Sequence, residues 1–64
     1  MWNDSAWEYS YDITVFTGKG SGYRYKNIEA DNNFDAIRVV CEFFIDDYPN
    51  EDIMEITINS KTKL

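Results

Sequence analysis

Residues 9–28 decide the fold, and they read YSYDITVFT (9–17), GKGSG (18–22) and YRYKNI (23–28). The first run alternates apolar and polar side chains and is rich in aromatic and β-branched residues, a pattern typical of a half-buried strand. The glycines of the second run predict a turn, because glycine adopts positive φ angles at no steric cost. The third run alternates again, so the stretch predicts an antiparallel β-hairpin.

A helix is predicted to follow the hairpin, at residues 33–46. Asn32 suits the N-cap position, and Asp35 places an acid in the first turn. Pro49 ends the segment, because proline cannot continue a helix. Residues 53–59 alternate once more and predict a third strand. The side chains expected on one face of this strand are Met54, Ile56 and Ile58.

These elements predict a single α+β domain of ββαβ type over residues 1–64, with residues 1–8 as an N-terminal arm. The crossover helix returns the third strand beside the first, which gives a three-stranded antiparallel sheet of order 2-1-3 with the helix on one face. A chain of 64 residues has a small core. Its single cysteine allows no internal disulfide, so a homodimer is the expected source of further stability.

The predicted helix carries more apolar surface than one sheet contact requires. On a helical wheel, the set expected to face the sheet is Phe34, Ile37, Val40, Cys41, Phe44, Ile45 and Tyr48. A second set, expected to form the dimer interface, is Ala36, Val39 and Phe43. The alternative is that the N-terminal arm, with Trp2 and Trp7, folds over this second set.

The net charge is −6, from 12 acidic and 6 basic residues. The acids are concentrated in residues 27–58, where Arg38 is the one base. Such a surface repels nucleic acid and anionic membranes and attracts basic protein surfaces. The sequence has neither a long apolar run nor a signal-peptide pattern, and it has one thiol, so we expect no membrane contact and a cytoplasmic location.

The residue types give no basis for catalysis. The chain lacks histidine, and we expect no metal site and no cofactor. The adjacent pairs Asp46-Asp47 and Glu51-Asp52 are interpreted as solvated charges, since they are neighbours in sequence and are not paired across a cleft. Cys41 is expected on the inward helix face as an inert, small apolar side chain. We therefore expect a binding protein and not an enzyme.

Four segments together resemble one known family in their order and spacing. They are residues 10–14, Tyr23 with Tyr25, Phe34 with Asp35, and residues 51–56. The family is that of the very small, dimeric, phage-encoded inhibitors of uracil-DNA glycosylase that mimic DNA. The resemblance implies a homodimer with its helices side by side and with carboxylates in the place of DNA phosphates. It also implies an apolar pocket between the helices, which captures the leucine that the enzyme inserts into DNA.

The resemblance places the target-binding site at the start of the helix, where Phe34 and Asp35 match an aromatic residue followed by an acid. Arg38 stands where the family pattern has a tyrosine. A cation there suits a basic enzyme groove only if it pairs with Asp35 or Glu42 on the same helix. The residues expected to bind the target are Phe34, Asp35, Arg38, Val39, Glu42, Asp31 and Tyr25.

Two other functions fit the sequence. One is a DNA mimic that blocks a different DNA-binding protein, such as a restriction nuclease, a CRISPR effector or a nucleoid protein. The other is a small structural or regulatory dimerisation module, in which the acids are ordinary surface charge. A basic partner whose binding weakens with salt distinguishes the first from the second.

Overall fold

A computed structural model describes residues 7–64, in which three strands and one helix follow the predicted order. The elements are β1 (Tyr9–Thr17), β2 (Gly22–Ala30), α1 (Asn33–Asp47) and β3 (Ile53–Lys63). The sheet is antiparallel in the order β2-β1-β3, so the predicted α+β class and topology are confirmed. Residues 1–6 of the predicted arm, including Trp2, lie outside the described residues.

The core is built on the central strand, β1. Tyr11, Ile13 and Val15 are buried on one face, as their alternation predicts. Each fully buried apolar side chain of this size stabilises the fold by about 1.5–3 kcal/mol. The hydroxyl of Tyr11 donates a hydrogen bond to Asn33 Oδ1 at 2.9 Å. This bond fastens the start of the helix to the centre of the sheet.

A β-bulge in β2 changes the predicted alternation. Tyr11 pairs with Ile28 and Ile13 pairs with Tyr25, which leaves Lys26 and Asn27 opposite one residue of β1. Asn27 has a φ of 59°, in the left-handed region that asparagine tolerates better than most residues. The extra residue moves Ile28 onto the same face as Tyr25. The core therefore receives an apolar side chain that simple alternation would expose.

A second bulge, in β3, places Met54 on a different face of the strand from the one predicted. Phe16 pairs with Glu55, whereas Thr17 pairs with Ile53, so Met54 is the extra residue. Met54 is consequently 70% exposed and does not join Ile56 as predicted. The side chains of β3 that pack against the core are Ile53, Ile56 and Ile58. Strand alternation fails here for a local reason, because each bulge reverses the faces beyond it.

The helix begins as the sequence predicts. The Asn32 side chain accepts a hydrogen bond from the Asp35 backbone N–H at 2.9 Å, which satisfies one of the free donors of the first turn. The Asn32 amide in turn lies 3.3 Å from a carboxylate oxygen of Asp35. At the other end the Tyr48 N–H donates to the carbonyl of Phe44, and Pro49 follows.

The helix face that packs against the sheet is not the one that the sequence predicted. The buried side chains are Ala36, Val40 and Phe44, whereas Phe34 and Ile45 are exposed. Apolar residues cover about two thirds of the wheel at roughly 100° per residue, so the pattern has no clear centre. The sheet contacts the middle of this broad arc, along the line i, i+4, i+8. The small Ala36 lies on that line and allows the helix to approach the sheet closely.

This placement also corrects the predicted dimer interface. Ala36 has no exposed surface, because it is buried within its own protomer, so it cannot touch a second copy. Val39 packs against the core and keeps part of its surface, and Phe43 is 48% exposed. Cys41, which was expected to be buried, is only partly so. Two of the three predicted interface residues thus retain surface for a partner.

No helix among residues 7–64 is long and apolar enough to cross a membrane.

Candidate functional site

The start of α1 presents an aromatic side chain beside an acid of fixed orientation. Phe34 is 76% exposed, although it is a large apolar residue. Asp35, next to it, is held by Asn32 through its backbone N–H and its carboxylate. The N-cap therefore orients both residues, since it determines where the first turn begins. The carboxylate of Asp35 also lies in the first turn of the helix, where the helix dipole favours negative charge.

Arg38 lies between two carboxylates of its own helix. Its Nη2 is 3.9 Å from Asp35 Oδ1, and its Nη1 is 3.3 Å from Glu42 Oε2. The pairing that the sequence required of this cation is thus present on both sides. Exposed pairs of this kind stabilise a helix by about 0–1 kcal/mol each. Their larger effect is on the surface potential, because the charge of Arg38 is more than balanced by its two neighbours.

The remaining predicted binding residues divide between the two ends of the helix. Asp31 lies just before the N-cap and accepts a hydrogen bond from the Glu8 backbone N–H at 3.2 Å. The hydroxyl of Tyr25 donates to Asp47 at 3.3 Å, in the last residue of the helix. A rise of about 1.5 Å per residue separates Phe34 from Asp47 by roughly 20 Å. The structure therefore does not bring Tyr25 together with the Phe34–Asp35 site.

Two tyrosines of β2 instead hold acids at the end of the helix. Tyr23 donates to Glu51 Oε2 at 3.0 Å, while Tyr25 donates to Asp47. Burial, together with the charge of Asp47, raises the pKa of Tyr25 to about 12. The hydrogen bond to Glu51 raises the pKa of Tyr23. The second oxygen of Glu51, Oε1, is buried and accepts no hydrogen bond within residues 7–64.

These acids form a second negative surface, which the sequence interpretation treated as solvated charge. We call it the acidic end, and its members are Asp46, Asp47, Glu51 and Asp52. The last turn of the helix contains no basic residue, and the helix dipole disfavours negative charge there. A signal for this arrangement existed in the sequence. An antiparallel return from β2 to α1 places the start of the strand, with its tyrosines, beside the end of the helix.

The sheet face opposite the helix carries a network of paired polar side chains around Asp12. Asp12 accepts hydrogen bonds from Arg24 Nε at 2.9 and 3.1 Å and from the Asn59 amide at 3.2 Å. The bond from Arg24 is the main reason that the pKa of Asp12 falls to about 2. This carboxylate therefore links all three strands and is committed to the fold.

The described residues contain no group of His, Cys, Asp or Glu side chains arranged to hold a metal ion. The surface of the helix combines exposed aromatic rings with carboxylates. The rings are Phe34 and Phe43, and the carboxylates belong to Asp35, Glu42 and the acidic end.

Comparison with known proteins adds no relative. No protein-family model matches the chain, and neither a curated protein nor a solved structure shows significant similarity to it.

Proposed function

We propose that this protein is an inhibitor of uracil-DNA glycosylase, which acts as an acidic, DNA-mimicking homodimer in the cytoplasm of the host cell. The observation that carries the proposal is the pairing of a highly exposed aromatic residue, Phe34, with a cap-fixed acid, Asp35. A large exposed apolar side chain beside oriented charge is typical of a recognition surface.

The charges of α1 suit a basic groove. Asp35, Glu42 and Asp46 follow the exposed side of the helix at rises of about 10 and 6 Å. Duplex DNA carries one phosphate per 3.4 Å on each strand, so one helix has a lower density of charge than DNA. A homodimer doubles the number of carboxylates on offer. Arg38 does not oppose the interaction, because Asp35 and Glu42 pair with it.

The apolar part of the surface explains why the target would be a base-flipping enzyme. Such enzymes hold DNA in a cationic groove and push an apolar side chain into the base stack. Phe34 and the partly exposed Val39 and Phe43 offer an apolar contact for that side chain. Complementary charge speeds the encounter, and burial of the apolar side chain slows release.

A cleavage assay tests the proposal. A uracil-containing oligonucleotide is cut by a bacterial uracil-DNA glycosylase while this protein is titrated in. We expect cleavage to stop near one dimer per enzyme and inhibition to weaken as salt rises. Full cleavage at large excess would reject the glycosylase as the target. Capture of a different DNA-binding enzyme would then identify the alternative DNA-mimic function.

Matched variants test the site itself. Phe34→Ala combined with Asp35→Lys should abolish inhibition. The control combines Phe16→Ala with Glu29→Lys, which removes an exposed aromatic ring and reverses an acid on the opposite sheet face. The control should inhibit as well as the unchanged protein. Equal inhibition by both double variants would show that the helix start is not the binding site.

A further inference from the structure

A small cavity opens on the sheet face opposite the helix, near the beginning of β1. Its volume is about 200 Å³. Pockets for drug-sized molecules hold roughly 300–1,000 Å³, so this cavity suits a smaller ligand. All three strands contribute to its wall. The polar residues of the wall are Ser10, Asp12, Lys26, Asn27, Ser60 and Thr62.

Bulges on both sides of Asp12 shape the cavity. On the β2 side is the bulge at Asn27, whose φ of 59° lies in the left-handed region. On the β3 side, Asp12 pairs with Ser60 and Ile13 pairs with Ile58, so Asn59 is an extra residue. Bulges bend a strand and redirect its side chains, and they are frequent beside binding sites. Two bulges at one level of the central strand thus create a concave place on the sheet.

The carboxylate in the cavity already has its partners, whereas the donors do not. Both oxygens of Asp12 accept hydrogen bonds from Arg24, and Oδ1 also accepts one from Asn59. Lys26 makes no hydrogen bond or ion pair with any other residue of the range 7–64. The hydroxyls in the wall likewise have no partner among these residues, and they belong to Ser10, Ser60 and Thr62. A ligand that satisfies this cavity must therefore supply hydrogen-bond acceptors.

The charges around the cavity favour an anion. Arg24 pairs with Asp12 and cancels its charge, so the charge of Lys26 is left over. The hydrogen bond from Arg24, and to a smaller degree the charge of Lys26, lower the pKa of Asp12 to about 2. The Arg24–Asp12 pair is consequently intact at neutral pH. Glu29 lies opposite Ser10 on β2 but is not part of the wall.

From this arrangement we propose that the cavity binds a small oxyanion, with a phosphate group as the best fit. Lys26 supplies the positive charge, and the hydroxyls of Ser10, Ser60 and Thr62 donate to the oxygens of the anion. Lysine binds phosphate as a point charge, and hydrogen bonds to charged groups are stronger than neutral ones. The cavity is on the opposite side of the sheet from the helix, so phosphate binding requires neither the glycosylase nor a dimer.

Nuclear magnetic resonance of the ¹⁵N-labelled chain tests the site. Sodium phosphate should cause saturable shifts of the amide signals around the cavity, and sodium chloride at equal ionic strength should not. Shifts that do not saturate, or that chloride reproduces, would overturn the proposal. Glucose tests whether a neutral polyol is the true ligand, and saturable shifts at the same amides would also overturn it.

A phosphate ester identifies the source of the anion. If ribose 5-phosphate binds more tightly than inorganic phosphate, the cavity recognises the phosphate group of a larger molecule. If it binds less tightly, the ligand is the free ion. Either result requires the saturable binding that the proposal predicts.

Substitutions in the wall test the residues themselves. Lys26→Met removes the charge, keeps the apolar stem and should weaken phosphate binding about tenfold or more. Ser60→Ala with Thr62→Val should weaken it by a smaller factor, about threefold. Lys19→Met is the control, because Lys19 is an exposed cation of the hairpin turn and is not part of the wall. Circular dichroism verifies that each variant is folded. Unchanged affinity in folded Lys26→Met would overturn the proposal.

Discussion

The two ends of helix α1 differ in how their acids are held. At the beginning, Asp35 is oriented by Asn32, three residues away, and shares Arg38 with Glu42. At the end, Asp47 depends on the hydroxyl of Tyr25, which comes from another strand. The first end is organised by local contacts within the helix, whereas the second is organised by the tertiary fold. The dipole of the helix favours the acids at the first end and opposes those at the second.

This difference suggests different roles for the two ends. Acids at a helix start are common in stable proteins, because they contribute to helix capping. Acids gathered at a helix end without a nearby base reduce stability and therefore need another explanation, such as binding to a basic partner. Substitutions at the two ends test whether their acids have these different roles, and the largest expected effect comes first.

The largest effect is expected where the acidic end meets the core. Phe44 is fully buried, and its ring lies 5.6 Å from that of Tyr23 and 5.3 Å from that of Tyr48. Phe44→Ala should cost about 3–5 kcal/mol, enough to unfold much of so small a domain. Phe34→Ala, at the exposed start of the helix, should change stability by less than about 0.5 kcal/mol. Chemical denaturation of both variants measures the contrast, and similar losses would contradict the assigned helix face.

Removal of the cap tests the local organisation of the first end. Asn32→Ala should destabilise the protein by about 0.5–2 kcal/mol, because the Asp35 N–H loses its acceptor. Asn32→Asp keeps an acceptor at this position and serves as the control. Thermal unfolding followed by circular dichroism compares them. Equal melting temperatures for Asn32→Ala and the unchanged protein would show that the cap is dispensable.

Alkaline titration tests the tertiary organisation of the second end. The pKa of Tyr25 is raised to about 12, so the folded protein holds this proton more tightly than the unfolded chain does. The associated stability is present below about pH 10, the usual tyrosine pKa, and is lost as the pH rises toward 12. Tyr25→Phe should remove this part of the pH dependence and cost about 0.5–1.5 kcal/mol at neutral pH. The ultraviolet absorbance of tyrosinate, with denaturation at each pH, measures both effects.

The smallest expected effect is that lysine substitutions change the stability of the protein in opposite directions at the two ends of α1. Asp46→Lys should stabilise the protein by about 0.3–1 kcal/mol, because a cation suits the end of a helix. Asp35→Lys should destabilise it, since the first turn loses its acid and gains a cation. Denaturant midpoints provide the measurement. If Asp46→Lys lowered the stability, the acid at this position would itself stabilise the fold.

Much of the fold could be predicted because its signals are local. Strand alternation, the glycine turn and the Asn32 cap each involve residues a few positions apart, and each appears in the structure. The predicted face of the helix failed for the opposite reason. Its apolar arc is so wide that any of several directions would bury a good stripe, and Ala36 gave no sign that it would be central.

The candidate site was predictable to the same limited degree. Phe34, Asp35, Arg38 and Glu42 share one helix, so their proximity follows from helical spacing. Tyr25 was grouped with them, but its strand carries it to the far end of the helix. The acidic end was missed as a unit because two of its members, Asp47 and Glu51, are held by tyrosines of β2, which are far away in sequence.

Local sequence is sufficient to predict the order of the elements, the antiparallel sheet, the negative charge and the cap that orients Asp35. These properties depend on composition and on neighbours within one or two turns. The bulges at Asn27 and Met54, the burial of Ala36 and the position of β3 at the sheet edge become visible only in the folded structure. The reason is physical: these features depend on which surfaces meet when helix and sheet pack, and that choice is a competition between contacts far apart in the chain.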